Sequence, residues 1–96
     1  MIKVLITDDQ MLLAEGIKSV LEASGKIEVT DIAKDGIECL ESIKKNRPEV
    51  VLLDIRMPNM NGVIATREIK RTYPDVKVER VTIHVTTALP PATALI

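Results

Sequence analysis

Three carboxylates stand where they could do chemistry together. Asp54 ends the apolar run Val50-Val51-Leu52-Leu53, and Asp8-Asp9 follow the run Ile2-Lys3-Val4-Leu5-Ile6-Thr7. Runs of this length and β-branched content read as buried strands. A carboxylate inside such a strand is costly to bury, whereas at the strand's carboxyl end it faces a crevice. In open parallel α/β sheets, ligands bind outside those carboxyl ends. If the two strands are parallel neighbours, three carboxylates meet at one rim and repel one another unless a cation or a proton joins them. An all-oxygen donor set suits a hard ion such as Mg²⁺. A metal, a phosphoryl group and a carboxylate nucleophile could then share the rim. The plainer reading, that Asp54 merely ends a strand, loses ground because the chain has this second acidic strand end.

The elements that must position these residues follow a regular order. A first strand over 2–7 leads into a helix over about 10–23. There Leu13, Ile17, Val20, Leu21 and Ser24 fall at helical spacing and are expected to form the buried face. Gly16 weakens that helix by about 1 kcal/mol relative to Ala, which points to a close approach of another backbone. Gly25 ends the helix as a C′ glycine. Ile27 to Ala33 alternates and reads as an edge strand. Asp35 and Glu38 have the spacing of a capping box, opening a helix with Ile37, Leu40 and Ile43 on one stripe. Lys44, Lys45 and Arg47 suit that helix's negative end and read as a solvated terminus.

The four-residue apolar run of the Val50 strand suggests burial on both faces. Met57-Pro58 stops that strand, and Asn61-Gly62 turns the chain, with Asn61 as a candidate cap. A third helix runs from about Gly62 to Thr72 and is ended by Tyr73-Pro74-Asp75. Short strands alternating with helices of about 11–14 residues mean crossover connections and a parallel α/β sheet.

Composition bounds the rest. Ninety-six residues make one domain, and 46% apolar content favours a folded chain. Tyr73 is the one aromatic, so the core is aliphatic. With 13 basic and 14 acidic side chains, the net charge of −1 gives no footprint for nucleic acid. Cys39 is alone, so no internal disulfide forms, and it reads as a plain helix residue. No apolar run reaches about 18 residues and no leader pattern opens the chain, so a cytoplasmic, membrane-free protein is expected. His84, the one histidine, is assigned to the polar face of a strand.

These residues resemble the receiver domain of bacterial two-component response regulators. The resemblance rests on the strand ending in Asp8-Asp9, the strand ending in Asp54, and Met57-Pro58 with Gly62 behind it. Arg47-Pro48-Glu49 fits as well, and the stretch Asp8 to Ile17 is similar to the subgroup that usually carries a LuxR-type DNA-binding domain. It implies a three-layer, flavodoxin-like parallel sheet of order 2-1-3-4 with helices on both faces. It also implies Asp54 as phosphoacceptor from a sensor histidine kinase, with Mg²⁺ held by Asp9 directly, by Asp8 mostly through water, by Asp54, and by the backbone carbonyl of Arg56. The role is a signalling module and not an enzyme. A small Asp-nucleophile phosphohydrolase is the enzymatic alternative, and it lacks the acid/base carboxylate expected two residues beyond either candidate Asp.

The resemblance covers residues 1–78 of this single domain, and 79–96 diverges. Glu79-Arg80 interrupt what the family keeps apolar. Either Thr82 or Thr86 is the residue expected to touch the phosphoryl group. The two prolines Pro90-Pro91 leave no room for the family's last helix, strand and helix, nor for the Lys on that strand, so impaired phosphotransfer is expected. The bared edge would favour a homodimer through the 76–86 strand or a swapped C-terminal segment. A dimerising fragment without phosphotransfer is the remaining alternative.

Overall fold

The computed structural model describes residues 1–54 and 62–81. Four strands, β1 (Ile2–Thr7), β2 (Ile27–Ala33), β3 (Val50–Asp54) and β4 (Lys77–Val81), form one parallel sheet of order β2-β1-β3-β4. Three helices connect them, α1 (Met11–Ala23), α2 (Gly36–Lys45) and α3 (Gly62–Thr72). This is the flavodoxin-like order that the resemblance implied, with β2 at one edge as its alternation suggested.

Alternate residues of the central strands feed two cores. Leu5, Val51 and Leu53 pack with Cys39, Ile43, Ala65, Ile69 and Val76 beneath α2 and α3. Val4, Ile6 and Val29 pack with Ala14 beneath α1, joined by half-buried Ile17, Leu21, Val50 and Leu52. The strand buried on both faces is therefore β1, with Val4, Leu5 and Ile6 all buried. β3 was expected to share that property but is buried only toward α2 and α3. Its Val50 and Leu52 remain half-exposed toward α1 because α1 lies over β2 and β1.

Helix ends follow the sequence signals, with two refinements. Gly25 adopts φ +72 just past α1, the left-handed conformation that only glycine takes freely. Asp35 caps α2, accepting from the Glu38 N–H at 2.8 Å. The Glu38 side chain reaches back one residue further than a capping box requires, accepting from the Lys34 N–H at 3.1 Å. Arg47 is not merely solvated: it pairs with Asp75 at 3.3 Å and lies 4.7 Å from the Tyr73 ring centroid, tying the end of α2 to the turn before β4.

Two helix faces differ from expectation. On α2 the stripe is Gly36, Cys39 and Ile43, and Ile37 points outward. On α1 the buried residue is Ala14, flanked by Ile17 and Leu21, whereas Val20 is 73% exposed and Ser24 is exposed. A Cβ added at Gly16 would meet nothing within 4 Å, so the close backbone approach expected there is absent among the described residues.

Candidate functional site

β1 and β3 are adjacent and parallel, with Thr7 opposite Leu53, so both acidic strand ends reach the same edge of the sheet. Oxygens of Asp8, Asp9 and Asp54 all lie within 4.8 Å of one another. Asp8 is fully buried, Asp54 nearly so, and Asp9 is exposed. The cluster thus has an open side at Asp9 and a closed floor at Asp8.

Asp8 is held by backbone. Its N–H donates to the Ala33 carbonyl at 2.9 Å, fixing it beside the end of β2. Its Oδ1 accepts from the Gln10 N–H at 2.8 Å, an Asx turn that starts the chain into α1. Its Oδ2 is buried without a hydrogen-bond partner among the described residues. Burial raises the Asp8 carboxyl above its ordinary pKa, and the charges of Asp54 and Asp9 push the same way, while the Gln10 N–H works against them. The Gln10 N–H and the Ala33 carbonyl are supports that side-chain motifs did not reveal, although an Asp two residues ahead of a helix's N-cap position is an Asx-turn signal.

Two like charges beside a buried carboxylate are stable only with a proton or a cation among them. The donor set is all oxygen, includes an orphaned buried oxygen, and opens to solvent on one side. That is what a hard divalent ion keeping some of its water requires. These residues fit such an ion.

The other expected site residues stand as follows. Arg56, whose carbonyl was to complete the metal set, lies outside the described residues, as do Met57, Pro58, Asn61, Thr82, His84 and Thr86. Val81, the residue before Thr82, pairs with Asp54 in the β3–β4 ladder. Glu79 and Arg80, opposite Leu52 and Leu53, are accommodated within β4 because that strand is the sheet edge and both side chains are exposed. Cys39 is buried under β1. Burial pushes its thiol up to about 11, and the Thr7 hydroxyl works against that shift.

The model of the response regulator receiver domain matches residues 4–93. The chain belongs to this family. As a receiver domain it is 43% identical over 83 residues to the transcriptional regulatory protein DegU of Brevibacillus brevis, covering 86% of this chain and 35% of DegU. It is 44% identical over 73 residues to a protein-glutamate methylesterase/protein-glutamine glutaminase of Pyrococcus horikoshii, covering 76% of this chain and 20% of that protein. Among solved structures, a DNA-binding response regulator of the LuxR family from Staphylococcus aureus superposes with a TM-score of 0.80 at 28% identity, over 91% of this chain and 72% of that one. The receiver chain thus spans about a third of DegU and a fifth of the methylesterase. No described helix is long and apolar enough to cross a membrane.

Proposed function

We propose that this receiver is a phosphoacceptor module of a two-component system, with Asp54 as the residue modified. The observation that carries the reading is the meeting of Asp8, Asp9 and Asp54 within 4.8 Å at the carboxyl edge of the sheet. Asp54, nearly buried, ends β3 beside the exposed Asp9, and from there an Oδ oxygen would attack the phosphorus of a phosphohistidine or a small acyl phosphate. The new P–O bond forms as the donor's bond to phosphorus breaks, and the donor leaves with its electron pair. Asp8 and Asp9, with the carbonyl of Arg56, would hold Mg²⁺ beside Asp54, and the ion would supply charge neutralisation at the phosphoryl oxygens. Asp8 is the oriented member, pinned by the Gln10 N–H, and Asp9 is the member reachable from water.

Thr82 serves the phosphoryl group better than Thr86 does. Val81 pairs with Asp54, and Thr82 directly follows it, whereas Thr86 is five residues further along the chain. A sensor histidine kinase is the phosphodonor. In this reading residues 1–96 form one receiver domain that is cytoplasmic, acts without turnover of its own, and has reduced phosphotransfer. A homodimer through β4 is a second reading, favoured by one observation: β4 is a sheet edge with no strand beyond it among the described residues.

Incubation with acetyl phosphate and Mg²⁺ followed by mass spectrometry tests the principal reading. A gain of about 80 Da on Asp54, absent in Asp54→Asn and without Mg²⁺, is expected. An unchanged mass under all conditions leaves only the dimerising fragment. Gel filtration at micromolar concentration tests the dimer, and a monodisperse monomer removes it.

A further inference from the structure

The two edges of the sheet differ in what they offer a second strand. At β2 the register against β1 slips between Val4 and Leu5, which leaves Thr30 as an extra residue, and its hydroxyl donates to the Val4 carbonyl at 3.4 Å. Such a bulge blunts a sheet edge. The charged side chains of β2 are Glu28 and Asp31, both acidic, so a second copy of β2 could bring no opposite charge to them. β4 runs beside β3 without a slip, and among the described residues no strand lies beyond it.

The side chains of β4 carry both signs of charge. Lys77, Glu79 and Arg80 are exposed, and among the described residues neither Lys77 nor Glu79 forms an ion pair. Lys77 and Glu79 lie opposite Val50 and Leu52, on the α1 side of the sheet. Val78 packs on the other side, against the core beneath α2 and α3. The Lys77 N–H donates to the Glu49 carbonyl at 3.0 Å, so Lys77 turns its backbone groups toward β3. Backbone direction alternates along a strand, so Glu79 and Val81 do the same, whereas Val78 and Arg80 turn theirs to the open edge. A groove of about 490 Å³, lined by Lys70, Pro74, Val76, Lys77, Val78 and Glu79, leaves room along that edge.

Geometry limits how two such edges can join. A two-fold axis perpendicular to the sheet runs the copies antiparallel and keeps like faces on the same side. Residues turned outward must then meet residues turned outward, so one residue of β4 meets its own copy at the axis. Centred on Lys77, Glu79 or Arg80, two like charges oppose each other. Centred on Val81, the ladder runs past the end of β4. Centred on Val78, valine meets valine, and Lys77 of each copy lies opposite Glu79 of the other. Those two ion pairs fall at non-hydrogen-bonded positions, where opposed side chains come closest.

We infer that β4 pairs with β4 of a second copy in an antiparallel ladder centred on Val78, held in register by two Lys77–Glu79 ion pairs across the axis. This rests on the homodimer reading and adds to it an orientation and a register.

Sedimentation velocity of the full chain at micromolar concentration tests it with Lys77→Glu and Glu79→Lys. Each substitution alone sets like charges across the axis and should raise the dimer dissociation constant at least about 5-fold. The double variant exchanges the two charges and should recover the wild-type constant. An equal mixture of the two single variants should recover it too, as heterodimers, because one chain then brings two acids and the other two bases to positions 77 and 79. Single variants that dimerise as tightly as wild type, or a loss that neither the double variant nor the mixture recovers, would overturn the register and leave the homodimer reading standing. A wild-type monomer would overturn both.

Discussion

The carboxylate of Asp8, fully buried at the carboxyl end of β1, has an oxygen within 4.8 Å of one on Asp54 at the end of β3. Both groups prefer to be ionised in water, and the fold denies Asp8 that water. The Asp8 pKa is raised, so the folded state holds this proton more tightly than the unfolded chain does. Its contribution to metal-free stability is therefore present at low pH and lost as the pH rises through the raised pKa. Asp8→Asn keeps an oxygen for the Gln10 N–H and removes the charge. It should stabilise the metal-free protein at pH 7 by on the order of 1 kcal/mol, roughly 4–8 °C in Tm. The gain should shrink as the pH falls toward the unfolded Asp value of about 3.9. Thermal melts of both proteins across pH in EDTA check this, and a less stable variant at pH 7 would refute it.

Packing beneath α2 and α3 sets the position of β3 and hence of Asp54. Ile69 is fully buried there, and Ile37 is half-exposed on the outer face of α2. Ile69→Ala should cost about 2–5 kcal/mol. Ile37→Ala should cost under about 0.5 kcal/mol. Urea unfolding curves distinguish the two, and comparable losses would mean that the outer face of α2 or the buried face of α3 is assigned wrongly.

The Cys39 thiol is pushed up to about 11 from 9.0 by burial. It is protonated throughout the neutral range, and its favourable contribution persists below pH 9.0 and is lost as the pH rises through about 11. Iodoacetamide at pH 8 should alkylate the native protein at least about 100-fold more slowly than the urea-unfolded chain. Equal rates would show that the core around β1 is open.

The strand ends were legible from residue order alone, because an apolar run that stops at an Asp leaves little choice of where the carboxylate lies. The three-carboxylate rim followed once β1 and β3 were taken as parallel neighbours, whereas the strand order came from the family resemblance. The helix faces were less legible. On α1, apolar residues occupy more than one face, so spacing could not tell that Ala14 is buried and Val20 is not. On α2, Ile37 and Ile43 each lie one three-residue step from Leu40, but the two steps together drift by about 120°, and Ile37 is turned away from the core while Ile43 is buried. The exposure of Val50 and Leu52 depended on how far α1 extends across the sheet, a tertiary fact that a run of four apolar residues does not encode. The Asp8 support from the Gln10 N–H and the Ala33 carbonyl is backbone chemistry, invisible to side-chain motifs.

A titration with Mn²⁺ as a paramagnetic stand-in for Mg²⁺, read by water-proton relaxation, tests most directly whether Asp8, Asp9 and Asp54 act as one site. One saturable ion per chain is predicted, displaced by excess Mg²⁺ and weakened at least about 10-fold by Asp9→Asn or Asp54→Asn. Binding that does not saturate, or that survives both substitutions unchanged, would contradict a shared cation at this edge of the sheet.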